Sequence, residues 1–277
     1  MWPMDHATTD QRSPAAGASS CRPPACATRR GFLTGAALVP VAAGLTSCAS
    51  PTPPAQQPTP RPTVAAVYRG SAGCDGCAET LAERLAGAPL HMEVTFVGPD
   101  EEVALDAGAL DGIDLYVQPG GGDDIPAAAA EFPAPFVEAL QEWVRGGGRY
   151  LGVCMGAYLA GNDGFGLIPR QIDGEVGAPG FPVVDSADHL VAVTWDGTRR
   201  WTYFQEGARL PERGAVVHAR YETGDIAAAR YVLGQGRIGL IGPHPEADST
   251  WLKGSGLIDE DGDDWAYALP LVRQLVP

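Results

Sequence analysis

The 277-residue chain has a single lysine, Lys253. Its cations are otherwise arginines, and they are outnumbered: 19 Lys+Arg stand against 34 Asp+Glu, a net charge of −15. A surface so poor in positive charge disfavours nucleic acid and anionic lipid head groups as partners. Long apolar runs are also missing. The longest candidate, residues 31–45, is rich in glycine and alanine and falls short of the roughly 20 residues a comfortable membrane span needs. There are no internal repeats and there is no sign of a second core.

That apolar stretch has another reading. Residues 28–48 are "TRRGFLTGAALVPVAAGLTSC". Arg29 and Arg30 precede Phe32-Leu33 as in a twin-arginine export signal, and Leu45-Thr46-Ser47-Cys48 resembles a bacterial lipoprotein box. In that pattern Cys48 carries the lipid and becomes the new N-terminus. Residues 1–48 are therefore expected to be an export signal ending at Cys48. The protein would be held on the outer side of the cell membrane by several acyl chains, since one alone holds only marginally. "ASPTPPAQQPTPRPT", residues 49–63, is too proline-rich to pack and reads as an extended tether. Residues 64–277 are long enough for one α/β domain with a sizeable core. Loss of residues 1–47 removes four arginines and two aspartates, which leaves a mature charge of −17.

Six cysteines then divide unevenly. Cys21 and Cys26 leave with the signal and Cys48 is the anchor. Cys74, Cys77 and Cys154 remain, an odd number for an oxidising compartment. Cys74-Asp75-Gly76-Cys77 reads as a local disulfide stapling a helix start, with a redox pair or a guard thiol for Cys154 as the other reading. Either way Cys154 stands apart.

Apolar runs place the elements. Strands are expected at 63–68, 91–97, 112–122 (running into glycines) and 149–153. Helices are expected at 77–88, 133–148 and 264–275, the last with Pro270 inside it. Shorter β-like runs fill 180–241. This alternation predicts a mostly parallel sheet with helices on both faces. Ligands bind such sheets beyond the carboxyl ends of the strands, where loops 69–76, 118–124, 153–156 and 242–247 would meet. An acidic run, "IDEDGDDW" at 258–265, is only faintly like a calcium loop and reads as a solvated turn before the last helix.

Those four loops hold the chemistry. Gly152-Val153-Cys154-Met155-Gly156 fits G-x-nucleophile-x-G, a sharp strand-to-helix turn that presents the sulfur at a helix start, where free amides favour its ionised form. A thiol nucleophile needs a base and the base an orienting acid, and "GPHPE" supplies His244 and Glu246. The backbone amides of Gly120, Gly121 and Met155 are candidates for an oxyanion hole. Tyr203, Gln205 and Glu206 in "WTYFQEG" are candidate substrate contacts.

A strand into "QPGGGDD", then "GGRYLGVCMGAYLAG", then "WTYFQEGA", then "GRIGLIGPHPE" resembles a class I glutamine amidotransferase-like domain. The resemblance is nearest to the branch at the N-terminus of biotin–protein ligases, which also occurs as stand-alone bacterial proteins. It implies a flavodoxin-like three-layer α/β/α sandwich and a Cys154–His244–Glu246 triad. It does not imply biotin ligation, because no ligase catalytic domain is present. The expectation is a cysteine-dependent hydrolase of an amide or related acyl bond in an unidentified small molecule, with no metal or cofactor. A non-catalytic small-molecule-binding lipoprotein on the same scaffold is the alternative.

Overall fold

A computed structural model describes residues 61–276, which form one α/β domain. The expected export signal with Arg29, Arg30 and Cys48, and the tether up to residue 60, lie outside the described residues.

The first half runs β1 (Val64–Tyr68), α1 (Cys77–Ala86), β2 (Glu93–Val97), a 3-10 turn (Ala107–Leu110), β3 (Leu115–Gln118), α2 (Ile125–Ala130), α3 (Ala134–Arg145), β4 (Arg149–Val153) and α4 (Met155–Leu159). The second half runs β5 (Asp173–Gly174), β6 (His189–Trp195), β7 (Thr198–Phe204), β8 (Ala208–Arg209), β9 (Val216–Tyr221), β10 (Ile226–Leu233), β11 (Gly236–Ile241), α5 (Ser249–Ser255) and α6 (Trp265–Leu275).

The central sheet has the order β2-β1-β3-β4-β11-β10-β9-β6-β7. From β2 to β11 every neighbour is parallel, and 2-1-3-4 followed by β11 is the flavodoxin-like order. Strands β1 and β3 are buried on both faces, as parallel strands covered by helices must be. Their alternate side chains feed two separate cores. On one face Tyr116 and Tyr150 pack under Phe136, Leu140 and Val144 of α3, which recur every fourth residue. On the other, Val67, Val117 and Leu151 pack with Leu81 and Leu85 of α1 and with Leu271 and Leu275 of α6. Gly239 of β11 lets α6 lie close, since an added Cβ would stand 2.7 Å from both Leu271 and Leu275.

Beyond β11 the sheet continues antiparallel through β10, β9, β6 and β7. These are the short runs expected over 180–241. The β6–β7 hairpin turns on Asp196-Gly197, both at positive φ, the two-residue turn whose twist matches the flanking strands.

Several elements are shorter than their sequence patterns. The helix expected over 77–88 stops at Ala86, the strand within 112–122 is only Leu115–Gln118, and the helix after Cys154 is a single turn and a half. Two helices were unmarked. Both are set by aspartate caps: Asp124 accepts from the Ala127 amide (2.9 Å) ahead of α2, and Asp248 from the Thr250 amide (2.7 Å) ahead of α5. The acidic run at 258–265 is largely an exposed turn ahead of α6, as expected, with only Asp264 and Trp265 buried. Asp263 pairs with Arg84 (2.7 Å) and Asp264 with Arg200 (2.8 Å), so the turn is tied to α1 and β7. Among the described residues, no helix is long and apolar enough to cross a membrane.

Candidate active site

Cys154 lies between β4 and α4 with φ 49° and ψ −108°, a conformation rare outside glycine. The glycines on either side explain how it is tolerated. A Cβ on Gly152 would run into the Gly156 backbone, and one on Gly156 into the Gln118 carbonyl. Without side chains there, α4 turns directly back over β3 and β4. The turn is locked by the Cys154 amide donating to the Ile241 carbonyl (2.8 Å) and the Tyr150 hydroxyl to the Gly156 carbonyl (2.6 Å). This is the sharp, glycine-flanked strand-to-helix turn that the sequence pattern predicts around Cys154.

Strand β11, parallel to β4, ends beside it and carries the chain to His244. The His244 amide donates to the Tyr203 carbonyl at 2.8 Å, which fixes the backbone. The ring is fixed by Glu246, whose Oε1 is 2.8 Å from Nδ1, with both side chains buried. Nε2 is thus left for Cys154, which lies near enough to raise the proton affinity of the ring. Burial is the largest influence on the imidazole and lowers its proton affinity. Glu246 and Cys154 together outweigh it, and the His244 pKa is pushed up to about 10. The outer faces of the ring are closed by Tyr203 and Trp251, with ring centroids 5.9 and 5.3 Å away.

The glycines after β3 pack into the same junction. An added Cβ on Gly120 would come within 2.7 Å of His244 Cε1, and one on Gly121 would strike the Ala72 carbonyl and lie 3.0 Å from Met155 Cγ. The Gly120 carbonyl accepts from the Cys74 amide (2.9 Å), so the 70–77 loop braces this segment. In that loop the sulfurs of Cys74 and Cys77 are bonded to each other, and Cys154 is the free cysteine among the described residues.

A cavity of about 480 Å³ opens over Cys154. Met155, Gly121, Gln205 and Glu206 line it, so four of the expected residues meet the thiol there. The Gln205 carbonyl accepts from the Cys154 thiol (3.5 Å), and Glu206 sits at φ 50° with its carbonyl held by the Tyr158 hydroxyl (2.8 Å). Two expected residues take other places. Gly120 sits behind the cavity against His244, while Gly121 and Met155 share the cavity wall with Cys154. Met155 is the first residue of α4, so its amide has no carbonyl within the helix to bond. Tyr203 lines a second cavity, of about 430 Å³, on the far side of His244, because β7 delivers its ring to the other face. Asp123, Tyr158 and Asp173, to which the sequence assigns no role, also line the first cavity. Asp123 was visible in "QPGGGDD" but carried no signal of its own. Among the described residues, no group of three or more His, Cys, Asp or Glu side chains is placed to hold a metal ion.

Residues 75–165 match the family described as biotin-protein ligase, N terminal. That segment contains Gly120, Gly121, Cys154 and Met155 and ends before His244 and Glu246, so it covers less of the domain than the sequence resemblance suggests. PurLQS of Thermotoga maritima is similar over 77% of this chain and 99% of its own, with 17% identity and a TM-score of 0.53. The two share a fold with a mostly parallel central sheet covered by helices. A second solved structure, of a glutamine amidotransferase, is similar over 70% of this chain and 100% of its own at 17% identity and a TM-score of 0.49. No curated protein matches.

Proposed function

We propose that this chain is an exported, lipid-anchored protein whose domain hydrolyses an amide or related acyl bond of a small molecule through Cys154. The observation that carries the reading is the line Cys154–His244–Glu246 beneath a cavity large enough for a small substrate. A strained thiol, a base held by a buried carboxylate and two backbone amides beside the sulfur are the parts that acyl transfer requires.

The chemistry follows from the geometry. With the thiol proton on His244, the sulfur attacks the acyl carbon and the carbonyl oxygen takes the electron pair, facing the amides of Gly121 and Met155. Collapse breaks the bond to the leaving group, which receives the proton from His244. Water then gives a proton to His244 and adds to the thioester. Release of the carboxylic acid returns the proton to the sulfur. Glu246 holds the ring in one orientation and balances its charge throughout. The anchor reading rests on the Arg29-Arg30 pair, the apolar run and Cys48 in that order. The strongly acidic mature chain argues against nucleic acid as a partner.

One observation favours the binding reading: Cys154 is only 5% exposed and its thiol is turned to the Gln205 carbonyl. Incubation of the mature protein with thiol-reactive acyl probes, followed by mass mapping, separates the two. Hydrolysis predicts an acyl group on Cys154 that discharges on standing, is lost in Cys154→Ala and forms more slowly in His244→Ala. A Cys154 that labels only after denaturation would assign the domain to binding.

A further inference from the structure

We propose that the substrate taken by the Cys154 cavity carries a positive charge, an ammonium or guanidinium group, held between Asp123 and Glu206. This rests on the acyl-hydrolase reading for the word substrate, and on the cavity wall for the charge. The wall carries three carboxylates, Asp123, Asp173 and Glu206, and no arginine, lysine or histidine. Asp173 is partly answered by Arg209, 3.7 Å away. Asp123 and Glu206 have no ion-pair partner among the described residues.

The charge of Asp123 reaches Glu206 across the cavity. Burial first, and then the charge of Asp123, push the Glu206 carboxyl above its usual range. Two anions left together in a concave site repel, and a cation between them relieves both. The thiol belongs to the same electrostatic neighbourhood. The Tyr158 phenol is raised by its burial and then by Cys154, Glu206 and Asp173.

Backbone geometry shows that Glu206 is placed rather than merely present. It holds a φ of 50° with its carbonyl bound by Tyr158, and the preceding carbonyl, of Gln205, receives the Cys154 thiol. One two-residue segment therefore carries both a contact to the nucleophile and a free carboxylate beside it. The same wall argues against an anionic or zwitterionic ligand, because a substrate carboxylate would find carboxylates and no cationic side chain.

The test uses the mature protein and three methanethiosulfonate reagents that differ in the transferred group: aminoethyl, methyl and sulfonatoethyl. Rates at Cys154, followed by mass mapping and divided by the rate with a small free thiol, report the charge preference of the cavity without requiring turnover. The cation is expected to react about tenfold faster than the anion at low ionic strength, with the methyl reagent between. Asp123→Asn with Glu206→Gln should remove most of that ratio. Glu93→Gln, an exposed carboxylate at the start of β2 and the opposite end of the parallel strands, should leave it intact. Equal normalised rates for cation and anion, or a ratio lowered as much by Glu93→Gln as by the cavity pair, would overturn the assignment.

A second arm measures hydrolysis of paired activated esters, one with an ammonium group and one with a neutral group of the same size. Turnover of both without preference leaves the hydrolase reading standing and removes this one. A cation preference in labelling with no turnover of either ester does the reverse, leaving a cation-binding cavity on a domain that is not a hydrolase.

Discussion

Nδ1 of His244 lies 2.8 Å from Oε1 of Glu246, two residues further along the chain, with both groups buried. Pro245 between them helps hold the pair on one short segment at the end of β11. The other carboxylate oxygen of Glu246 has no hydrogen-bond partner among the described residues, so this acid serves the histidine alone.

The first prediction follows from that pair. His244 is raised to about 10, above its ordinary 6.5. Stability linked to this proton is therefore fully present below about pH 6.5 and is lost as pH rises through about 10. In Glu246→Gln the burial that opposes the charge is less well balanced, so the midpoint should fall toward or below its ordinary value. Imidazole NMR shifts followed against pH read it directly. An unchanged midpoint would mean that Glu246 does not charge the ring. By the same logic His244→Ala should slow iodoacetamide alkylation of Cys154 at neutral pH, and Glu246→Gln should slow it less.

A second prediction concerns the floor of the turn. A Cβ at Gly156 meets the Gln118 carbonyl, which is main chain and cannot swing aside. Gly156→Ala should cost about 3 kcal/mol of stability, measured by urea unfolding. A loss under about 1 kcal/mol would show that α4 can shift away from β3 at little cost.

Cys154 itself provides a third. Its positive φ costs on the order of 1–3 kcal/mol in a residue with a side chain. Cys154→Gly should therefore be about 1 kcal/mol more stable than Cys154→Ala, with both unable to accept an acyl label. Equal thermal midpoints for the two variants would argue that the turn relaxes in solution.

The 74–77 pair gives a fourth. Peptide mapping without reduction should find Cys74 and Cys77 in one closed loop and Cys154 outside it. Replacing both by serine should cost about 2 kcal/mol, the loop-closure value for so short a ring, and should loosen the brace on Gly120. A bridge from Cys74 to Cys154 in the purified protein would instead mark the loop as a partner of the nucleophile.

The anchor provides the fifth. Cys48→Ser should move the protein from the membrane fraction to the soluble exported fraction, and Arg29→Lys with Arg30→Lys should keep it inside the cell. A Cys48→Ser protein that still sediments with membranes would remove the lipid-anchor reading.

How far the sequence could be read depended on whether the signal was local. Cys154 between Gly152 and Gly156 announces its turn, because the crowding that demands glycine is set within five residues. His244 and Glu246 are equally visible as a pair, since the ring and its acid are two positions apart. Asp123 and Tyr158 were not legible as cavity residues, for neither has a neighbour in sequence that marks it. Tyr203 shows the reverse case. It stands two residues before Gln205, yet β7 ends at Phe204 and the turn after it, with Glu206 at φ 50°, breaks the strand's alternation, so the Tyr203 ring lies against His244 while Gln205 lines the cavity over the thiol.

The order of apolar runs was enough to determine a parallel sheet covered by helices, because the strands at 63–68, 112–122 and 149–153 are short, apolar and each lead into a helical stretch. Glycine spacing was enough to determine where the thiol turns. Tertiary structure alone decided that the antiparallel half of the sheet, through β7, supplies Gln205 and Glu206 to the cavity wall. It also decided that Asp123 and Glu206 share that cavity without a cation. Charges 83 positions apart are brought together by strand order, and strand order is settled by how the two cores pack rather than by any local pattern.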